Sequence, residues 1–206
     1  MKLGFDFVIY SLISLSALIP LYVYRDKIFK FLYKSSDFES FLTELKKLLI
    51  SNHPFIPFDF VIVEKTKNEN NPKTRQVLII ENILSQFAEF EMLITTQSTV
   101  DKEFLWQTYE NDSLPKKDKL PKDWLRRKDA TWKRDKCQCT RCGLKTSLND
   151  AQLYIVKDIK NGGTYHFENL LSVCNDCYRV LNTENLGKTV KYLNITEVLM
   201  NKVTGK

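Results

Sequence analysis

Two Cys-x-x-Cys pairs are the residues of this chain whose types and spacing are best suited to chemistry. They are Cys139 with Cys142, and Cys174 with Cys177. Two such pairs a few dozen residues apart can place four thiolates tetrahedrally around one soft divalent ion, and this ligand set favours zinc. Four thiolates complete the coordination sphere, so no position is left for an activated water. The spacing therefore predicts a structural zinc site that stabilises the fold without taking part in a reaction.

The fifth cysteine, Cys137, is too close to Cys139 to share a knuckle with it comfortably. We expect Cys137 at an apolar position on a strand that enters the knuckle. All five cysteines lie between residues 137 and 177. With a cytoplasmic placement, this agrees with reduced, metal-bound thiols rather than disulfides.

The residues around the cysteines follow a distinctive order. Trp124-Leu125-Arg126-Arg127 and Trp132-Lys133-Arg134-Asp135 precede the first pair, and Gly162-Gly163 and Glu168-Asn169-Leu170 lie between the pairs. Over residues 124–181 this order resembles that of the HNH endonuclease superfamily: basic helix, zinc knuckle, strand, Gly-Gly loop, Glu-Asn-Leu and Cys-x-x-Cys. The resemblance implies a zinc-stabilised ββα domain that binds nucleic acid, with DNA favoured.

The family's catalytic positions are filled differently in this chain. The resemblance implies a histidine at the end of the strand as general base, with a neighbour that helps to ligate a catalytic cation. Without gaps these two places hold Tyr154 and Ile155, and an isoleucine can neither accept a proton nor bind a metal. With a loop three residues shorter, they hold Lys157 and Asp158. No register supplies a histidine.

Three residues remain as catalytic candidates: Asn169, His166 and Asp158. Asn169 matches the family's asparagine, which orients the loop, whereas the family's last ligand is replaced by Tyr178. Asp158 could ligate Mg²⁺ but is a poor base at neutral pH. His166 could act as a relocated base or be a solvent-facing loop histidine. We expect impaired or lost cleavage, and the alternative is an active endonuclease that uses these residues with Mg²⁺ or Mn²⁺.

A basic stretch precedes the first cysteine pair. Residues 116–136 carry seven Lys and three Arg against four Asp, which equals the formal net charge of +6 of the whole chain. A helix in this stretch would contact phosphates without reading sequence. A solvated helix face or a patch that binds anionic lipid are the alternatives. The predicted nucleic-acid contacts are Arg126, Arg127, Lys128, Lys133 and Arg134.

The N-terminal segment predicts a membrane anchor. Residues 7–24 are uncharged and almost wholly apolar, and as a helix they would be roughly 27 Å long, close to the thickness of the hydrocarbon core. A cleaved signal peptide would need a basic leading region, and only Lys2 precedes the run. Arg25, Lys27, Lys30 and Lys34 follow it, which predicts a single-pass membrane protein with a cytoplasmic C-terminal domain. A membrane-tethered adaptor whose basic face binds lipid or protein is then a further functional alternative.

The middle of the chain reads as a small mixed α/β region without a catalytic motif. A capping box at Ser36 and apolar residues at helical spacing predict a helix over 37–51. Alternation predicts a strand over 58–63, and residues 66–73 read as a loop. Residues 77–80 fit either a second strand or the start of a helix, and 83–94 predicts an amphipathic helix.

The sequence as a whole predicts an α+β chain in four parts. Residues 1–34 form the membrane anchor with its basic flank, and 35–112 form the small mixed α/β region. Residues 113–122 form a Lys/Pro linker. Residues 123–206 form the zinc-stabilised ββα domain of HNH type, with a C-terminal extension.

Overall fold

The computed structural model describes residues 16, 36–116 and 119–204, and the chain divides into two compact units, Met1–Glu44 and Leu45–Lys206. The described residues form a mixed α/β structure with eight α-helices, short 3₁₀ turns and one two-stranded sheet. The strands are β1 (Ala151–Ile155) and β2 (Leu170–Cys174). The helices are α1 (Ser36–Asn52), α2 (Val61–Lys65), α3 (Pro72–Glu89), α4 (Tyr109–Ser113), α5 (Trp124–Arg134), α6 (Asn175–Leu181), α7 (Leu186–Thr189) and α8 (Asn194–Thr204).

The prediction of a single-pass membrane protein is corrected here. Across residues 16, 36–116 and 119–204, no helix combines the length and the apolar character that a bilayer crossing requires. Even α3, which has 18 residues, carries charged side chains along its length, namely Lys73, Arg75, Glu81 and Glu89. The predicted anchor at 7–24 and its basic flank lie outside the described residues, apart from Ser16.

The predicted strand over 58–63 is wrong, whereas the helix predicted over 37–51 is confirmed as α1. Residues 58–60 are irregular and are followed by the single-turn helix α2. The Asp59 carboxylate accepts a hydrogen bond from Val61 N at 2.8 Å, which starts the turn. The Gln86 side chain accepts from Asp59 N at 2.7 Å and donates to Asp59 O at 2.8 Å. These bonds pair the backbone N–H and carbonyl of Asp59. In a sheet, a neighbouring strand would have to pair them.

Helix α3 covers residues for which the sequence predicted three separate segments: a loop, a run that fits either a strand or a helix, and a later helix. It begins where the loop was predicted, because Asn71 accepts hydrogen bonds from Lys73 N and Thr74 N and Pro72 occupies the first turn. Its buried residues recur every three or four positions: Gln76, Ile79, Ile80, Ile83, Leu84, Phe87 and Ala88. Such a stripe is typical of a helix that packs on a core, and α8 packs against α3.

The cysteine-rich part of the chain is built on an antiparallel hairpin followed by a helix. Ala151 of β1 pairs with Cys174 of β2, and Ile155 pairs with Leu170. Every residue of β2 is buried, and α5 and α6 pack on the two strands. The order β1, β2, α6 is therefore a ββα unit, and it brings the end of β2 to the cysteine knuckle.

Candidate metal centre and basic groove

Four cysteines lie close enough together to hold one metal ion. The Sγ atoms of Cys139, Cys142, Cys174 and Cys177 are all within 4.8 Å of one another, and all four residues are buried. The Sγ atoms of Cys142 and Cys174 are 3.8 Å apart, and a tetrahedral zinc site with bonds of about 2.3 Å has sulfur atoms roughly 3.8 Å apart. The donor set therefore fits zinc, as the spacing predicted. Cys137 is not in this cluster; it lies in the turn after α5 at φ 59°, not on a strand.

Backbone hydrogen bonds position both cysteine pairs. Cys139 N donates to Leu144 O and Gly143 N donates to Cys139 O, each at 2.8 Å, which closes the first knuckle. Gly143 has a φ of +81°, a conformation that favours glycine. Thr140 N donates to Ser172 O at 2.9 Å and ties this knuckle to β2. The second pair follows directly, because Cys174 caps α6 and Cys177 lies in its first turn.

The packing of the four thiols explains why a cation suits this site. Hydrogen bonding from Cys142 and from the other two thiols lowers the pKa of Cys139. Hydrogen bonding to Cys139 then raises the pKa of Cys142 and of Cys177. Full ionisation of the cluster therefore needs a compensating positive charge, and a divalent ion shared by the four sulfurs supplies it.

Arg141, between the first two cysteines, is a site residue that sequence reasoning missed. Its side chain is almost completely buried. Its Nη1 donates to Cys177 Sγ at 3.4 Å. Its Nη2 donates to carbonyl oxygens at the end of α3, at 2.7 Å for Phe87, 3.3 Å for Ala88 and 2.8 Å for Phe90. Nothing in a Cys-Thr-Arg-Cys motif distinguishes such an arginine from a solvated one.

The side-chain amide of Asn169 forms hydrogen bonds across the loop between β1 and β2. Its Oδ1 accepts from Lys157 N at 2.7 Å, and its Nδ2 donates to Lys157 O at 3.0 Å and to Thr164 O at 2.7 Å. The loop is tight, since a Cβ on Gly163 would lie 1.8 Å from Lys157 O. The Asn169 amide therefore holds the loop in place.

The three catalytic candidates do not converge on one point. His166 and Asn169 line the same cavity of about 220 Å³, but Asp158 is not part of its lining. The exposed Asp158 carboxylate instead accepts a hydrogen bond from Lys160 N at 2.9 Å. His166 Nε2 lies 3.6 Å from Glu110 Oε2. Of the three candidates, only His166 and Asn169 therefore line a common cavity.

Tyr154, Ile155 and Tyr178, which the resemblance without gaps places at catalytic positions, lie within regular secondary structure. Tyr154 and Ile155 are the last two residues of β1 and pair with Leu171 and Leu170. Tyr178 lies on α6, and its carbonyl accepts a hydrogen bond from Asn182 Nδ2 at 2.8 Å.

Helix α5 is confirmed, but Arg127 does not lie on its exposed side. Its side chain is completely buried, and all five of its N–H donors have acceptors. The acceptors are both carboxylate oxygens of Asp123, Ser113 Oγ, Tyr165 O and Tyr109 O, at 2.6 to 2.9 Å. The prediction that Arg127 contacts phosphate is therefore corrected: Arg127 stabilises the fold from inside.

Arg134 is also occupied within the fold. Its guanidinium forms a salt bridge with Asp135 at 2.8 Å, in which both side chains are less than 10% exposed. It also donates to Phe167 O and Leu170 O, each at 2.7 Å. These bonds hold the start of β2 against α5. The phosphate contact of Arg134 stays a prediction, because Arg134 also lines a cavity beside α5.

The remaining cations of α5 point outward on two sides. Lys128 Nζ lies 3.3 Å from Asn149 O. Arg126 and Lys133 line a cavity of about 570 Å³, which we call the basic groove. The Arg126 guanidinium lies 4.4 Å from the centre of the Trp106 ring. The other lining residues are Thr99, Val100, Asp101, Phe104, Trp106, Asp129, Ala130 and Arg134.

Comparison with known proteins gives no family assignment: no protein-family model, no curated protein and no solved structure matches this chain.

Proposed function

We propose that this chain is a zinc-containing, HNH-like protein that binds nucleic acid through the basic groove and does not cleave it. The HNH part of the proposal is supported by three features together. They are the β1–β2 hairpin followed by α6, the four-cysteine cluster at one end of that unit, and Asn169 clasping the loop at the other. The zinc identity is supported by the four-thiolate donor set.

The observation that supports nucleic-acid binding is that the cations of α5 differ in burial and in hydrogen-bond partners. Arg127 is buried inside the fold and Arg134 is bonded to Asp135 and to backbone carbonyls at the edge of the groove, whereas Arg126 and Lys133 are exposed there. Lys133 pairs with Asp129 at 2.7 Å, but the lysine is 64% exposed and such surface pairs contribute little. A phosphate can therefore replace Asp129 as its partner. Phe104, 64% exposed at the same groove, offers a ring on which a base can stack.

Binding should weaken with salt in a way that two residues control. The logarithm of the association constant should fall linearly with the logarithm of salt concentration, at about −0.9 for each phosphate contact on duplex DNA. Arg126→Gln with Lys133→Gln should make that slope shallower by roughly 2, because two contacts are lost. Fluorescence anisotropy of a labelled duplex between low and moderate salt measures it.

The matched control for that experiment is Lys188→Gln with Lys191→Gln. This pair removes the same charge from exposed positions outside α5 and should leave the slope unchanged. If both double variants flatten the slope equally, the binding follows overall charge and the basic groove has no special role.

The full chain should not nick DNA. Cleavage requires a general base beside a second cation site, and the strand end offers Tyr154 and Ile155 in its place. Supercoiled plasmid incubated with the protein and Mg²⁺ or Mn²⁺ should therefore stay supercoiled at the level of a protein-free control.

An active endonuclease is the second candidate, because His166 and Asn169 share one cavity. Metal-dependent nicking that is lost in both His166→Ala and Asn169→Ala would establish it and would reject the proposal of binding without cleavage. His166→Ala is the cleaner of the two variants, since Asn169 also holds the loop.

A further inference from the structure

Arg141 joins two parts of the protein through one buried guanidinium. One side of the group reaches the sulfur of Cys177, and the other reaches the last carbonyl groups of α3. Its ring neighbours are also on that side, since the guanidinium carbon lies 5.2 Å from the centre of the Phe87 ring and 5.6 Å from that of Phe90. Arg141 therefore connects the end of α3 with the cysteine cluster.

The charge on Arg141 needs an anion that its other partners do not provide. Burying a cation is costly unless it is paired. Within residues 36–116 and 119–204, no carboxylate forms a salt bridge with Arg141, and its Nε has no hydrogen-bond partner. The carbonyl oxygens at the end of α3 are neutral dipoles. Four thiolates around one divalent ion leave a net negative charge on the centre, and this charge lies beside Arg141.

The other buried ionisable groups near the cluster neither pair with Arg141 nor supply a positive charge to the cysteines. The Asp176 carboxylate accepts hydrogen bonds from Asn194 N at 2.8 Å and Ile195 N at 2.9 Å, at the start of α8. Burial lowers the pKa of His53, so His53 favours its neutral form. Arg141 is thus the buried cation that hydrogen-bonds to a cysteine of the cluster.

We propose that Arg141 is a positioning residue that couples metal retention to the C-terminal end of α3. Its guanidinium neutralises part of the charge of the metal–thiolate centre while it holds the last carbonyl groups of the helix. When the metal leaves, the cysteine sulfurs take up protons from the solvent, so the negative charge beside Arg141 falls and its contact with α3 weakens. The inference concerns the metal centre and holds whether or not the chain binds nucleic acid.

Zinc affinity of the full chain tests the first half of the proposal. Competition with a chelating dye should give an affinity about 10- to 100-fold weaker for Arg141→Met, the usual effect of removing an outer partner of a metal ligand. Arg141→Lys should be weakened as well, because an ammonium group cannot span the sulfur and the carbonyl groups at once. The control Lys145→Met removes an exposed cation close to Cys142 and should bind zinc as the wild type does.

Hydrogen exchange at the end of α3 tests the second half. In the zinc-loaded wild type, amides of residues 86–90 should be protected, and removing zinc with a chelator should speed their exchange. Arg141→Met should show the fast exchange with zinc still bound. Wild-type zinc affinity in both Arg141 variants, or unchanged exchange at residues 86–90, would overturn the proposal. If Arg141→Met does not fold with zinc, Arg141→Lys decides by the same two readouts. Failure of the wild type to bind zinc would instead reject the metal centre itself.

Discussion

Cys142→Ser or Cys174→Ser should leave the ββα unit and its cysteine knuckle largely unfolded. Each variant breaks a ligand set in which four sulfurs lie within 4.8 Å of one another. Structural zinc supplies about 10–16 kcal/mol of apparent binding free energy, as much as the whole stability of a typical domain at about 5–15 kcal/mol. Circular dichroism and a thermal melt of the full chain should show the loss of the cooperative transition.

Elemental analysis provides the companion measurement, and the purified wild type should contain one equivalent of zinc. Cys137→Ser is the matched control, because Cys137 is outside the cluster and only partly buried. We expect it to change stability by no more than about 1 kcal/mol. Folded wild-type protein with less than roughly a tenth of an equivalent of metal would contradict the prediction.

Arg127→Met should destabilise the protein by about 3–5 kcal/mol, because removing one partner of a buried ion pair strands the other. The change leaves the Asp123 carboxylate without its cation, and Ser113 Oγ and two carbonyl oxygens without their donor. Arg126→Met, one residue earlier, is the control. Arg126 is exposed and rests on Trp106, so we expect a loss of about 1 kcal/mol or less. Urea unfolding of the three proteins measures the difference, and similar losses in both variants would refute it.

Arg127→Met should also change how the free energy of unfolding depends on pH. Burial alone would raise the pKa of Asp123, but the hydrogen bonds and charge of Arg127 outweigh it, and the pKa lies below its ordinary value of 3.8. The ionised carboxylate therefore stabilises the wild type above about pH 4, and this stabilisation is lost as the pH falls below the ordinary value. In Arg127→Met the free energy of unfolding should therefore fall less steeply as the pH is lowered below about 4, and urea unfolding at a series of pH values measures this.

The sequence predicts those features that depend on local pattern. The four-cysteine cluster follows from spacing, and α1 and α5 follow from apolar periodicity and charge. Arg126 and Arg127 show the limit, since they are adjacent and chemically identical. Arg126 is exposed on the helix. Arg127 is buried and bonds to Asp123 one turn earlier and to three acceptors outside α5, on Ser113, Tyr109 and Tyr165. No local pattern encodes that difference, which depends on how α4 and the loop before β2 pack against α5.

The strand predicted at 58–63 failed for a related reason. Alternating apolar residues predict a strand only if a neighbour completes the hydrogen bonds of the backbone. In this protein a side chain 27 residues away, Gln86, bonds to both the N–H and the carbonyl of Asp59. Similarly, the helix predicted over 83–94 ends at Glu89, where Arg141 draws in the carbonyl groups of Phe87 and Phe90. Both outcomes depend on partners far away in the sequence.

Gly163 limits how this protein can diverge in evolution. Any larger residue would place its Cβ 1.8 Å from Lys157 O and 2.8 Å from Asp158 O, and backbone atoms cannot swing aside as a side chain does. Lys157 O is also held by the Asn169 amide. Selection for the shape of this loop alone would therefore preserve a glycine and an asparagine at these positions. Their presence in a related sequence would reflect the architecture of the loop and would not by itself indicate activity.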